Sequence, residues 1–274
     1  MSIKKLLIVV LWTAFVLSIT CSAQVTIAQI SDTHLGEKRA PHAADNLRTT
    51  VETINARHVD AVVLTGDIGE NPQYRQEAKA ILRSLKARLY YVPGNHDVHT
   101  HDLNEYRAEF GKDYYRFRVK NVDFIVIDSQ LLGNYDKYEA ASPPPLPINT
   151  AAESEKMFAW LDQQQEPAGR IMIGAQHIPA VRDGEFPPDK KPYWVISEPY
   201  LSREIDLLHK LGVKHMLVGH WHNGRVFEHD GITWHVAPAT SWLPWGGELG
   251  FAIHTIATDG SVRTEFTALP NAQP

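Results

Sequence analysis

Short apolar runs, each stopped abruptly by polar residues, constrain this chain most. Val25-Thr26-Ile27-Ala28-Gln29-Ile30 stops at Ser31-Asp32-Thr33-His34. Ala61-Val62-Val63-Leu64-Thr65 stops at Gly66-Asp67, and Leu89-Tyr90-Tyr91-Val92 at Pro93-Gly94-Asn95-His96-Asp97. Further on, Arg170 to Ala175 runs into Gln176-His177, and Met216-Leu217-Val218 into Gly219-His220-Trp221-His222. Continuous apolar runs of this length read as strands covered on both faces, as in a parallel sheet. Helical spacings separate the first three: Leu47, Val51 and Ile54 after Pro41, then Ala78, Ile81, Leu82 and Leu85 after Pro72. Repeated strand–loop–helix units put their polar residues at the C-terminal strand ends, where open α/β sheets build their sites.

From Tyr114 the texture changes. Tyr115 to Val119 and Val122 to Asp128 flank Lys120-Asn121, which predicts a hairpin and a move to a second sheet. Helices are expected over 151–164 and 196–211, with a long polar, proline-rich loop at 178–193 between them. Three more strands are expected after His222, within 225–228, 232–236 and 251–256.

The first residues carry a different signal. Lys4-Lys5, an apolar run from Leu6 to Ile19, and small residues before Gln24 read as a secretory signal peptide over 1–23. Residues 24–274 would then form one exported domain, periplasmic or extracellular, with no membrane-spanning segment. A lipid anchor on Cys21 fits less well, because Thr20 is a poor neighbour for it. Cys21 is the only cysteine, so the mature chain would have no disulfide and no thiol chemistry. Removing Lys4 and Lys5 takes the formal charge from −5 to −7. That argues against stable nucleic-acid binding, which rests on a cationic surface.

The five strand-end blocks supply carboxylate, imidazole and amide donors without thiolate. This donor set suits manganese, iron, nickel, cobalt or zinc rather than an all-oxygen calcium cage. Singly, each residue has a plain structural reading, such as a turn aspartate or a core histidine. Histidines two apart, as His220 and His222, can share one side of an extended backbone and so meet one site.

In order, the blocks Asp32-x-His34, Gly66-Asp67, Gly94-Asn95-His96-Asp97, His177 and Gly219-His220-x-His222 resemble the calcineurin-like metallophosphoesterase superfamily. The stretch from Tyr114 to Asp128 and the strand-rich tail resemble its branch containing the human calcineurin-like phosphoesterase domain protein. The resemblance implies a four-layer α/β/β/α sandwich of two mixed sheets flanked by helices. A dinuclear site would lie at the strand C-terminal ends. It implies two divalent or trivalent transition metals, one held by Asp32, His34 and His222, the other by Asn95, His177 and His220, with Asp67 bridging. It further implies hydrolysis of phosphomonoesters or phosphodiesters by attack of a metal-bridging hydroxide, with His96 as catalytic acid. A non-catalytic binder of phosphorylated ligands on the same fold is the alternative.

Around this constellation the residues leave choices open. Asp97 would orient the His96 ring or cap a helix, and Glu70 would support a neighbouring site residue or, the favoured reading, be exposed. His99 and His101 are expected in a solvated loop. Trp194, Trp221, Trp242 and Trp245 would stack on a flat aromatic leaving group of a small phosphate ester, or cap the core. Arg182, Lys190 and Lys191 would meet further phosphates, or stay solvated. No oligomeric state follows.

Overall fold

The structure is a computed structural model and describes residues 24–98 and 103–273. The expected leader and the loop holding His99 and His101 lie outside the described residues. In the first sheet, β1 (Val25–Ile30), β2 (Ala61–Thr65) and β3 (Arg88–Val92) run parallel. β10 (Gly250–Ile256) pairs antiparallel with β1, and β11 (Val262–Ala268) forms the outer edge, giving the order β11-β10-β1-β2-β3. The second sheet has the order β4-β5-β6-β7-β9-β8. Its β5 (Val122–Val126), β6 (Ile171–Ala175), β7 (His215–Val218) and β9 (Ile232–Val236) are parallel. β4 (Tyr115–Val119) and β8 (Arg225–His229) close its two edges antiparallel.

The sheets stack, and helices cover their outer faces, so apolar residues collect in three layers. Val25, Ile27, Val63, Phe124, Ile173 and Leu217 fill the space between the sheets. Ala28, Ile30, Val62 and Leu64 alternate with the first set and pack under α1 (Ala43–Ala56) and α2 (Pro72–Leu82). The second sheet buries its outer face under α3 (Leu103–Phe110), α4 (Ile148–Asp162) and α5 (Tyr200–Lys210). Both faces of the central strands are therefore buried, which explains their continuous apolar sequence. Each large side chain sealed there, such as Phe124, contributes about 1.5–3 kcal/mol. The result is the expected α/β/β/α sandwich. Among the described residues no helix is long and apolar enough to cross a membrane.

Some elements differ from the sequence reading: α4 begins three residues before the expected 151 and ends two before 164. α5 starts at Tyr200, four residues after the expected start, because Glu198 precedes Pro199 and the residue before proline is disfavoured from helical geometry. The edge strand β11 was not anticipated. Most of its residues are exposed, and its Arg263-Thr264-Glu265 centre reads as a loop; charge on an edge strand guards it against pairing with other chains.

Candidate metal centre

Five parallel strands end at the same edge of the sandwich, and their first loop residues converge there. β1 delivers Asp32 and His34, β2 Asp67, and β3 Asn95 and His96. β6 delivers His177, and β7 delivers His220 and His222. Asp32, His34 and His222 form one group able to hold a metal ion, and Asp67, His177 and His220 form a second. Each group draws on both sheets. Asp67 Oδ2 lies 3.4 Å from His34 Nε2 in one group and 3.2 Å from His177 Nε2 in the other, the position a bridging carboxylate needs.

The backbone is bent to achieve this. Asp32, His34, Asp67, His220 and His222 all have positive φ, between 41° and 67°. Left-handed geometry in non-glycine residues costs about 1–3 kcal/mol each and persists where surrounding structure enforces it. His220 and His222 therefore do not share one side of an extended strand, as their spacing suggested. They turn to different groups, while Trp221 between them points into the core, where its Nε1 donates to the Trp194 carbonyl at 2.8 Å. Gly94 and Gly219 stand where chains nearly touch: a Cβ on Gly94 would overlap Asp67, and one on Gly219 would overlap Ser31 Oγ.

The ring nitrogens decide what the groups can bind. Nδ1 of His34 meets Glu70 Oε1 at 2.8 Å, Nδ1 of His177 the Thr65 carbonyl at 2.6 Å, and Nδ1 of His222 the Trp242 carbonyl at 2.9 Å. His220 uses Nε2, 2.9 Å from the Tyr193 carbonyl. A carbonyl or carboxylate can only accept, so each ring places its N–H outward and turns a lone pair to the centre. Nε2 of His34 and of His222 consequently face each other at 3.2 Å, an arrangement that calls for a cation between lone pairs. Asn95 Oδ1 and His177 Nε2 are buried without a hydrogen-bond partner among the described residues. The Asn95 amide nitrogen donates to the Tyr193 hydroxyl at 2.9 Å, which leaves that oxygen for the centre. The residues present therefore fit a pair of transition-metal ions.

Charge is held to match. Burial opposes the Asp32 carboxylate, yet His222 and His177 hold it at about 2, and Asp67 lies well below its ordinary value for the same kind of reason. Burial likewise opposes a charged His177, but Asp67 and Asp32 outweigh it and raise the ring to about 9. A proton there takes the place of the cation the site is shaped for. Burial and the charge on His177 push His220 down to about 3, leaving it neutral as a ligand must be.

Glu70 takes the less favoured of its two sequence readings, that of a partner to the site. It is not exposed: Oε1 holds His34, and Oε2 sits 3.0 Å from His96 Nδ1. One carboxylate thus orients both a candidate ligand and the candidate acid. Burial resists charge on His96, but Asp67 and Glu70 together raise it to about 9. Among the described residues, the hydrogen bonds of the Asp97 carboxylate go to backbone and not to the His96 ring. The carboxylate accepts the backbone N–H groups of Asp67, Ile68 and Gly94 at 2.8, 2.8 and 3.0 Å, tying the β2 loop to the β3 loop.

A cleft of about 440 Å³ opens over the two groups, lined by His34, Asp67, His96, His220 and His222 below. Tyr138, Tyr193, Trp194, Trp242 and Trp245 form its walls. Three of the four tryptophans singled out from sequence are here, and Trp221 is not. Arg39, which the sequence reading missed, lies over the Trp242 ring at 3.8 Å and pairs with Glu37. Arg182, Lys190 and Lys191 do not line the cleft. Arg182 donates to the carbonyls of Pro187, Asp189 and Lys191 and so fastens the loop that carries Tyr193 and Trp194. Lys190 and Lys191 pair with acidic neighbours.

A family model for calcineurin-like phosphoesterases matches residues 25–224. A protein named as a probable cyclic nucleotide phosphodiesterase, from Fibrobacter succinogenes, is 24% identical over 227 residues, covering 78% of this chain and 79% of that one. The serine/threonine-protein phosphatase CPPED1 of Bos taurus is 31% identical over 157 residues, 54% of this chain; the match spans 46% of the bovine protein. Among solved structures, a dimetal phosphatase from Danio rerio superposes with a TM-score of 0.65 at 16% identity, covering 90% of this chain and 99% of that one. That likeness shows the fold.

Proposed function

The chain belongs to the calcineurin-like phosphoesterase family, and from that premise we propose that it hydrolyses small phosphate esters with a flat, uncharged aromatic leaving group. The observation that carries this is the convergence of Asp32, His34, Asp67, Asn95, His177, His220 and His222 from two sheets beneath one aromatic cleft. The first three of these except Asp67, with His222, would hold one metal; Asn95, His177 and His220 would hold the other, and Asp67 would bridge. When bound, such metals supply Lewis acidity at the phosphoryl oxygens and bring the pKa of a coordinated water towards neutrality.

The remaining chemistry belongs to the side chains. His96 lines the cleft, and Glu70 and Asp67 favour its charged form, so it can give a proton to the departing oxygen. Such general acid catalysis is worth about 10²–10⁴ in rate. Trp242, Trp245 and Trp194 offer ring faces to the leaving group and displace water from it. Arg39, the one guanidinium lining the cleft among the described residues, is paired with Glu37, so a leaving group with further negative charge finds little to bind there.

The test uses purified protein with para-nitrophenyl phosphate, its bis-ester and an alkyl phosphate. Turnover should vanish with chelator, return with manganese, and be abolished in His177→Ala, which removes a residue of the proposed centre. Trp242→Ala should raise KM for the aryl esters and not for the alkyl ester. Metal-loaded protein that binds phosphate but turns over none of these would favour the non-catalytic alternative. We further propose export, supported by the basic–apolar–small pattern of residues 1–23; a mature N-terminus other than Gln24 in the secreted or periplasmic fraction would contradict the cleavage site.

A further inference from the structure

Away from the site, β7, β9 and β10 each carry a histidine: His215, His235 and His254. His235 and His254 are fully buried. They are joined in one line of hydrogen bonds. His215 Nδ1 meets His235 Nε2 at 3.0 Å, His235 Nδ1 meets Thr264 Oγ1 at 2.7 Å, and Thr264 Oγ1 meets His254 Nδ1 at 2.9 Å. His254 Nε2 meets Gln29 Oε1 at 2.9 Å. The Gln29 amide nitrogen then donates to Thr65 Oγ1 and to the Val218 carbonyl, both at 2.9 Å.

The Val218 carbonyl can only accept, so it fixes the amide: nitrogen towards Val218, oxygen towards His254. His254 must therefore carry its proton on Nε2. Burial keeps that ring neutral, so its Nδ1 accepts from the Thr264 hydroxyl. The Thr264 oxygen in turn accepts from His235 Nδ1–H, and His235 Nε2 accepts from His215. Donors point one way through the whole line.

Gln29 lies three residues before Asp32, Thr65 two before Asp67, and Val218 two before His220. One side chain thus ties the ends of β1, β2 and β7, joining the two sheets directly under the site. Each candidate metal position takes ligands from both sheets, so the spacing of the sheets there sets the spacing of the ligands. Thr65 adds a second tie, since its carbonyl receives His177 Nδ1–H.

We propose that Gln29 is a positioning residue for the dinuclear centre, holding the two sheets at the spacing the ligands require, with His254, Thr264 and His235 locking its amide in the working orientation. The proposal rests on the ligand assignment above. Loss of an outer contact of this kind lowers metal affinity by about 10–100-fold in known sites.

The experiment titrates metal-free wild type, Gln29→Leu and Thr264→Val with manganese or zinc by calorimetry. It also compares unfolding temperatures with and without metal. Wild type should bind two equivalents, and Gln29→Leu should lose about 10–100-fold in affinity and most of the metal-induced rise in unfolding temperature. Thr264→Val, remote from the centre and near-isosteric, should move both readouts the same way by a smaller factor. Equal falls in unfolding temperature with and without metal, at unchanged affinity, would show a merely structural role and overturn the proposal. Wild type that binds no transition metal would instead refute the ligand assignment itself. Nitrogen-15 ring shifts give a check that needs no variant: His254 protonated on Nδ1 rather than Nε2 would also overturn it.

Discussion

Glu70→Gln is the most informative single change. In the native protein each Glu70 oxygen accepts from a different ring, His34 at 2.8 Å and His96 at 3.0 Å. A glutamine keeps the shape but has one acceptor and one donor. It can serve one of the two rings, and the other faces a donor. A hydrogen bond to a charged group is worth about 1.5–3 kcal/mol, or about 10–100-fold in a rate or binding constant. If His34 loses its partner, the preference for its Nδ1–H tautomer goes and metal affinity falls. If His96 loses it, the imidazolium loses support. The sign of the pH effect follows. His96 is held at about 9 by Asp67 and Glu70 against burial. Removing the Glu70 charge lets burial lower the pKa, so the alkaline limb of kcat/KM moves to lower pH. Cations in the adjoining groups would press it in the same direction in both proteins. The assay is kcat/KM against pH for para-nitrophenyl phosphate and phenyl phosphate, with metal content measured on each sample. The defect should be about 10–100-fold and larger for phenyl phosphate, whose more basic leaving oxygen needs the proton more. A variant within threefold of wild type on both substrates, with an unmoved alkaline limb, would refute the role given to Glu70.

Other expectations follow from buried groups. Glu204 on α5 is buried, and burial pushes this acid up to about 8 against a smaller opposing contact from Gln176. The folded state therefore binds more protons than the unfolded state between about pH 4.5 and 8, so stability is fully present below that window and is lost as pH rises through it. Glu204→Gln should unfold at a higher temperature than wild type at pH 8, by up to about 5 kcal/mol in stability, and show little gain at pH 4; equal gains at both would contradict this. Asp97→Ala strands three backbone donors in the loops under the site and should cost at least about 3 kcal/mol in urea unfolding; a loss under 1 kcal/mol would mean water replaces the carboxylate. Gly94→Ala places a Cβ against Asp67 and should reduce bound metal while leaving secondary structure by circular dichroism unchanged.

Much of this protein follows from local sequence. Runs such as Val25–Ile30 and Ala61–Thr65 had to be doubly buried strands, because they are apolar on both faces and too short for helices. Their order with Leu47-Val51-Ile54 and the Pro72 helix required parallel crossovers, and crossovers leave Asp32, Asp67 and Asn95 at one edge. Residue types and spacing thus reached the parallel strands and their common edge, and the resemblance of the five blocks reached the family and its sandwich. Partner choice across the fold was not legible. Glu70 looks like any exposed acid until His34 and His96 arrive from two other loops. Asp97 sits beside His96 in sequence yet serves the β2 loop. His220 and His222 separate because their φ angles are positive, which spacing does not report. Trp221 and Trp245 carry the same ring; one went to the core and one to the cleft through the turns of their own backbones. Periodicity encodes which face of a strand is covered, since that depends on neighbours one or two residues away. Hydrogen-bond partners and ligand geometry depend on groups tens to hundreds of residues apart, and only the packed sheets bring those together.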